Sequence, residues 1–469
     1  MNVCRAFSSA TALALALCLT GCSTMIPNYA RPTAPIPAAY PNTTAAQEAA
    51  GSASDIEWQS YFGDERLKRL IDVALKNNRD LRVSVLNIEQ ARALYQIRRA
   101  DELPTVGIGA IGSRQPNGSG SIASSYTAGL SVTAYELDFF GRVRSLSATA
   151  LAQYLATEEA RKNVQIALIS SVANTYLNLL ADDALLAVTR GTLLTREDSL
   201  RLTKLKFDVG ATSELDYRQA ESLTEGARAV LAQLVRQRAQ DENALLLLLG
   251  QAMPADLPQG LSISSQNLVN QLPTGLPSEV LTRRPDVRQA EQLLLAANAN
   301  IGAARAAFYP RITLTGSAGS ASTELSGLFK SGSSAWSFMP QLLLPIFDAG
   351  RNQANLAVAK VSRDVAVAQY EKAIQSAFRE VADALAGRAT LGEQMRAQQA
   401  QAVAETERAR LTELRYKNGA SSYLEVLDAQ RSLFASEQAA LQLQAQSQQN
   451  LATLYRVLGG GWAAESAKP

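Results

Sequence analysis

A chain of 469 residues, 47% hydrophobic and 19% charged, is long enough for more than one domain. Its net charge of +2 carries none of the concentrated basic excess of a nucleic-acid-binding protein. There is no histidine and there are only three cysteines, which excludes histidine-based acid–base catalysis and most transition-metal sites. With no nucleophile motif and no phosphate-binding glycine loop either, the sequence predicts a protein that is not an enzyme and holds no cofactor or metal.

The first segment reads as an address. Arg5 precedes the apolar run from Ala6 to Thr20, which ends at Gly21-Cys22, as in a secretory signal peptide over residues 1–21. Leu19-Thr20-Gly21-Cys22 also fits the bacterial lipobox, in which cleavage leaves an N-terminal cysteine that carries lipid, so Cys22 is the predicted lipid attachment site. Ser23 follows it, the pattern of lipoproteins sent to the outer membrane rather than kept at the inner one. Cys4 and Cys18 leave with the signal, and the mature chain cannot form an internal disulfide. Residues 22–60, rich in Pro, Ala, Ser and Thr, are expected to be an extended lipidated tether.

From Asp64 the pattern is helical, with Leu67, Leu70, Ile71, Ala74, Leu75, Leu81, Val85 and Ile88 leading on to Ala100 before Pro104 stops it. The period then falls to two. Tyr126, Ala128, Leu130, Val132 and Ala134 share one strand face, and Val106, Ile108 and Ala110 share another, weaker one. Between Pro116 and Pro254 there is no proline. Gly141–Gly210 is expected to be helical, even if broken at Gly191, over roughly 100 Å at ~1.5 Å per residue. Gly210 is suited to the left-handed end of that helix, and Ser213 with Asp216 to a capping box that opens the return arm to Gly250.

The whole arrangement then recurs. KFDVGATSELDYRQAES from Lys206 has a counterpart, RYKNGASSYLEVLDAQR, that starts at Arg415, 209 residues on. The same register turns Gly141-Arg142 into Gly350-Arg351 and Leu249-Gly250 into Leu458-Gly459, which marks a duplication. Gly419, Ser422 and Glu425 therefore form a second hairpin tip, and two further strands are predicted around Ile312–Ala318 and Trp336–Ile346. The predicted organisation is a first repeat over 61–250, a linker over 251–282, a second repeat over 283–459 and a tail over 460–469.

The mature sequence has no run of ~18 apolar residues. A chain addressed to an outer membrane would then cross it only as a closed β-barrel, and four strands are too few to close one. Either the strands lie on a surface or several chains pool them, as eight, twelve or sixteen strands. Helices of such length without a matching core are expected to pack as coiled coils.

Taken together, the lipobox, NYARP-TAP from Asn28, ELDFFGR from Glu136, LTRRPDV from Leu281, GAARAAFYP from Gly302, the two tips and the terminal LGGGW resemble the TolC superfamily. Within it the chain is most similar to the OprM-like, NodT-type lipoproteins of RND tripartite drug efflux pumps. The resemblance implies a mixed α+β membrane protein: a homotrimer whose twelve-stranded outer-membrane β-barrel, four strands per chain, continues into a long periplasmic α-helical barrel. It implies an exit duct in the outer membrane of a Gram-negative bacterium, served by a periplasmic adaptor and an inner-membrane RND transporter, with a periplasmic tip that opens on assembly. Leu424 and Asp428 match the positions that form the periplasmic constriction in OprM-like proteins. TolC carries an arginine where this chain has Ser421. Trp336 and Phe338 are candidates for an interfacial aromatic belt. A type I protein-secretion duct shares the architecture, and a structural or adhesive coiled-coil lipoprotein is the reading from outside transport.

Overall fold

The computed structural model describes residues 24–41, 56–116, 118, 120–266, 268, 272 and 283–462. Cys22 and the signal segment fall outside the described residues, as do parts of the tether, linker and tail. The elements run in the order α1 Glu65–Asn77, α2 Arg79–Ala100, β1 Val106–Pro116, β2 Ile122–Glu136, α3 Arg142–Asp208 and α4 Glu214–Leu249. The second half repeats the scheme as α5 Pro285–Ala306, β3 Arg311–Ser322, β4 Ser334–Leu343, α6 Arg351–Lys417 and α7 Tyr423–Val457.

One sequence expectation is corrected here. The helical pattern from Asp64 to Ala100 is two helices, because Asn78 adopts an extended backbone, φ −60° and ψ 133°. The Asn78 amide explains the break: Oδ1 accepts from Leu81 N at 2.9 Å and Nδ2 donates to Leu248 O at 2.9 Å. It caps the second helix and ties the joint to α4 at once. Conversely, Gly191 does not break α3, which runs for 67 residues, as does α6. The most apolar part of α3 is a core helix, with Ile166, Ile169, Val172, Tyr176 and Leu177 buried.

The four strands form one antiparallel sheet in the order β1-β2-β3-β4, so that β1 and β4 are its edges. At the centre Gly129 faces Gly319, and a Cβ on either would stand within 2.6 Å of the other strand's backbone, so only glycine fits. The period-two pattern of β2 holds to Val132 and then fails at Ala134, against expectation. One extra residue enters between Val132 and Tyr135, with Ala134 at φ 52°: a β-bulge that lets Tyr135 pair with Leu314.

The described residues form two compact units. Of the described residues, one unit draws on those within 24–34, 86–159 and 288–373, the other on those within 35–85, 160–287 and 374–462. In the first unit the sheet is anchored by Glu136, which pairs with Arg142 at 2.7 Å and Arg311 at 2.6 Å, while Phe140 stacks on Tyr309 at 4.8 Å. The tether is bound there too, Arg31 meeting Glu291 at 2.7 Å and Asn298 donating to Pro27 O at 2.8 Å.

In the second unit a core of Tyr61, Phe62, Leu67, Leu70, Ile71, Tyr176, Leu245, Leu249 and Tyr455 holds α1 against the long helices. Burial of such side chains contributes about 1.5–3 kcal/mol each. Asp64, 1% exposed, accepts from Tyr176, Leu261 and Gln266 as well as capping α1, so its carboxylate is fully satisfied. Arg284 of the LTRRPDV segment is buried but paired, with Asp286 at 2.6 Å and Glu380 at 3.0 Å.

Candidate functional site

The tips are built from turns that the residue types dictate. Gly210 and Gly419 stand at φ +73° and +72°, the left-handed region that other L-residues rarely enter. Around them Ala211 N donates to Lys206 O at 2.7 Å and Gly210 N to Phe207 O at 2.9 Å; Ala420 and Gly419 repeat the pair at 2.9 and 3.0 Å. Each long helix thus ends in a Schellman turn, with its last carbonyls satisfied.

Three residues on, the return helices start in matching ways. Ser213 Oγ accepts from Asp216 N at 3.1 Å while Asp216 Oδ2 accepts from Ser213 N at 3.3 Å, and Thr212 adds a hydroxyl at 2.8 Å. Those hydrogen bonds, from the Ser213 hydroxyl above all, hold the Asp216 carboxyl below its ordinary pKa. Ser422 and Glu425 make the same reciprocal box at 3.4 and 3.2 Å. All six tip residues are therefore occupied in turning and capping the backbone.

Leu424 and Asp428 are placed differently. They lie one turn apart on α7, and both are exposed, Leu424 at 58% and the Asp428 side chain at 53%. Asp428 is not a free carboxylate, as a reading of the ring position alone would have it. Arg408 on α6 donates Nη2 to Asp428 Oδ2 at 2.5 Å, and its Nη1 meets Glu405 at 3.1 Å. The hydrogen bond to Asp428 is the main reason the Arg408 guanidinium is held above its ordinary pKa. Arg408 stands eleven residues before Gly419 and Asp428 nine after, so the symmetry of a helical hairpin about its turn is the sequence signal that would have found the pair.

The two hairpins meet just inside their tips. Tyr423, 9% exposed, shares a 2.8 Å hydrogen bond with Ser199 on α3 and receives a 3.4 Å one from Thr203, while its ring lies 5.4 Å from that of Tyr416. Ala220, Val426 and Leu427 complete a small apolar cluster around it. Ser421 only donates weakly to Thr412 O at 3.4 Å. Trp336 and Phe338 share one face of the edge strand β4, 79% and 63% exposed. Among the described residues no group of histidine, cysteine or acidic side chains has the arrangement of a metal site.

The model of the outer membrane efflux protein family matches residues 70–251 and again 276–460. The solvent efflux pump outer membrane protein SrpC of Pseudomonas putida is 50% identical over 459 residues, 95% of this chain and 97% of that protein. Outer membrane protein OprJ of Pseudomonas aeruginosa is 47% identical over 466 residues, 96% of this chain and 95% of its own length. Among solved structures, the open state of the Neisseria gonorrhoeae MtrE outer membrane channel superposes with a TM-score of 0.87 at 45% identity, covering 94% of this chain and 98% of that one.

Proposed function

The chain belongs to the outer membrane efflux protein family, and from that premise we propose that it is the outer-membrane exit duct of a tripartite efflux pump in a Gram-negative bacterium. It conducts passively what an inner-membrane RND-type transporter and a periplasmic adaptor deliver, and it performs no chemistry of its own. Cys22 carries the lipid that fixes its N-terminus to the outer membrane. The observation that carries the reading is the open sheet. Its edges β1 and β4 have no partner strand among the described residues, and Ile108, Leu130, Trp336 and Phe338 are exposed on it. In lipid such edges leave backbone groups without hydrogen bonds, so the sheet is complete only when further copies close it.

Three copies supply twelve strands, and in that trimer each Leu424 and Asp428 meets its two symmetry mates as the closed periplasmic constriction. Native mass spectrometry in detergent tests the assembly. A trimeric mass that resists dissociation is expected, and a monomer with intact strands would overturn closure by pooling. The same spectra test the anchor. Wild type carries acyl mass on its N-terminal cysteine and Cys22→Ala does not; a wild-type mass without lipid removes the anchor from the proposal.

A further inference from the structure

Within the helical unit a cavity of about 310 Å³ opens between α3 and α7, and the constriction residues take no part in it. Glu437, one of its lining residues, is nine residues beyond Asp428, and at ~100° per residue that is the opposite side of α7. Gly191 also lines it, a residue that costs a helix interior about 1 kcal/mol relative to alanine. A Cβ built on Gly191 would meet nothing within 4 Å, so no contact inside the chain demands a glycine there.

Arg196 is what gives the cavity chemistry. It is 6% exposed, yet among the described residues its guanidinium has a single hydrogen bond, from Nη1 to Leu223 O at 2.9 Å. The group lies 5.1 Å from the Phe434 ring, and Nε is buried without an acceptor. The neighbouring charge is Arg431, and burial together with this second cation pulls the guanidinium below its ordinary pKa. A buried charge with no counter-ion is strongly unfavourable, by several kcal/mol in general. Glu437 lines the same cavity but makes no ion pair or hydrogen bond with Arg196 among the described residues, and burial pushes its carboxyl upward. Gln430 adds another buried oxygen, Oε1, with no donor.

We propose that this cavity is a binding site for a small organic carboxylate. The anion accepts from Arg196 Nε–H and an adjacent Nη–H in the bidentate geometry that a guanidinium fork presents, and its carbon body rests on Phe434, Leu433 and Val188. The single guanidinium fork takes one carboxylate group. The apolar wall favours a ligand with a carbon skeleton over a bare ion.

The test uses the full-length chain in detergent, titrated with benzoate, with chloride and inorganic phosphate at matched ionic strength as comparison ions. Benzoate is expected to raise the melting temperature saturably, and calorimetry to give stoichiometric binding that Arg196→Gln weakens about tenfold or more. Arg196→Gln should itself melt no lower than wild type, because it removes an unpaired buried charge. Should that variant fail to assemble, Arg196→Lys keeps the charge without the fork and is also expected to weaken benzoate about tenfold. Stabilisation by chloride or phosphate equal to that by benzoate would overturn the carboxylate assignment. A benzoate effect that survives both Arg196 variants would overturn the site. A drop in melting temperature on Glu437→Gln would show that Glu437 itself neutralises Arg196, and the proposal would fall.

Discussion

Arg408 on α6 and Asp428 on α7 close on each other at 2.5 Å across the arms of the second hairpin, on an exposed surface. The pair sets how much negative charge the proposed constriction presents. An exposed ion pair contributes little to stability, so its consequence is electrostatic rather than structural. Arg408→Ala is therefore expected to leave the melting temperature nearly unchanged and to strengthen cation preference, since three carboxylates lose their partners. Reversal potentials across planar bilayers under a salt gradient measure this. A preference identical to wild type would mean that Asp428 does not face the conducting path.

The capping residues should behave in the opposite way. Ser213 and Ser422 each satisfy a backbone N–H at the start of a return helix and receive a carboxylate in exchange. Ser213→Ala or Ser422→Ala is expected to cost about 1 kcal/mol each, read as an earlier thermal transition by circular dichroism, with conductance and ion preference unaltered. A changed conductance with unchanged stability would reverse the roles assigned to cap and constriction.

Much of this architecture was legible in the sequence because its signals are local or repeated. Strand period, the left-handed glycines and the serine–acid boxes are short-range facts, and a constant offset of 209 residues exposes the duplication without any structure. What escaped depends on pairing over distance. The break at Asn78 needs Leu248 O from another helix, and the bulge at Ala134 needs the register of β3. Arg408 looks like one more helical charge until α6 is folded against α7. Arg196, similarly, reads as a surface residue of an amphipathic helix, and only the packing of Phe434 and Leu223 over it reveals a buried cation.

A pH dependence follows from α3 and α4. Asp182, 6% exposed, feels the negative charge of Asp241 and, further, of Asp183, while Arg238 opposes it. Burial, then Asp241, push the Asp182 carboxyl up to about 7. An acid raised in the folded state binds its proton there and releases it on unfolding. Between about pH 4, the ordinary carboxylate value, and about 7 the folded chain thus holds more protons, and stability falls as pH rises through that window. Asp182→Asn is expected to flatten this slope and to melt higher than wild type at pH 8. Thermal melts from pH 4 to 8 compare the two, and parallel curves would show that the pair is not proton-linked to folding.

The constriction itself is tested by removing both of its side chains. Leu424 and Asp428 are exposed and one turn apart, so neither supports the core and neither caps a helix. Leu424→Ala/Asp428→Ala should therefore fold and assemble as wild type does. In a trimer the change withdraws three isobutyl groups and three carboxylates from one axis. The first loss widens the passage, and the second removes the field that favours cations, an effect felt within a Debye length of ~10 Å at 0.1 M salt. It also leaves Arg408 with Glu405 as its remaining partner, so the local negative charge falls. Single-channel conductance is expected to rise and cation preference to fall below that of wild type, whereas Arg408→Ala raises it. Cells carrying the double variant should also admit large antibiotics that wild type excludes. Both variants giving the same ion preference would mean that the pair lies outside the passage, and an unchanged conductance in the double variant would place the narrowest point away from Leu424.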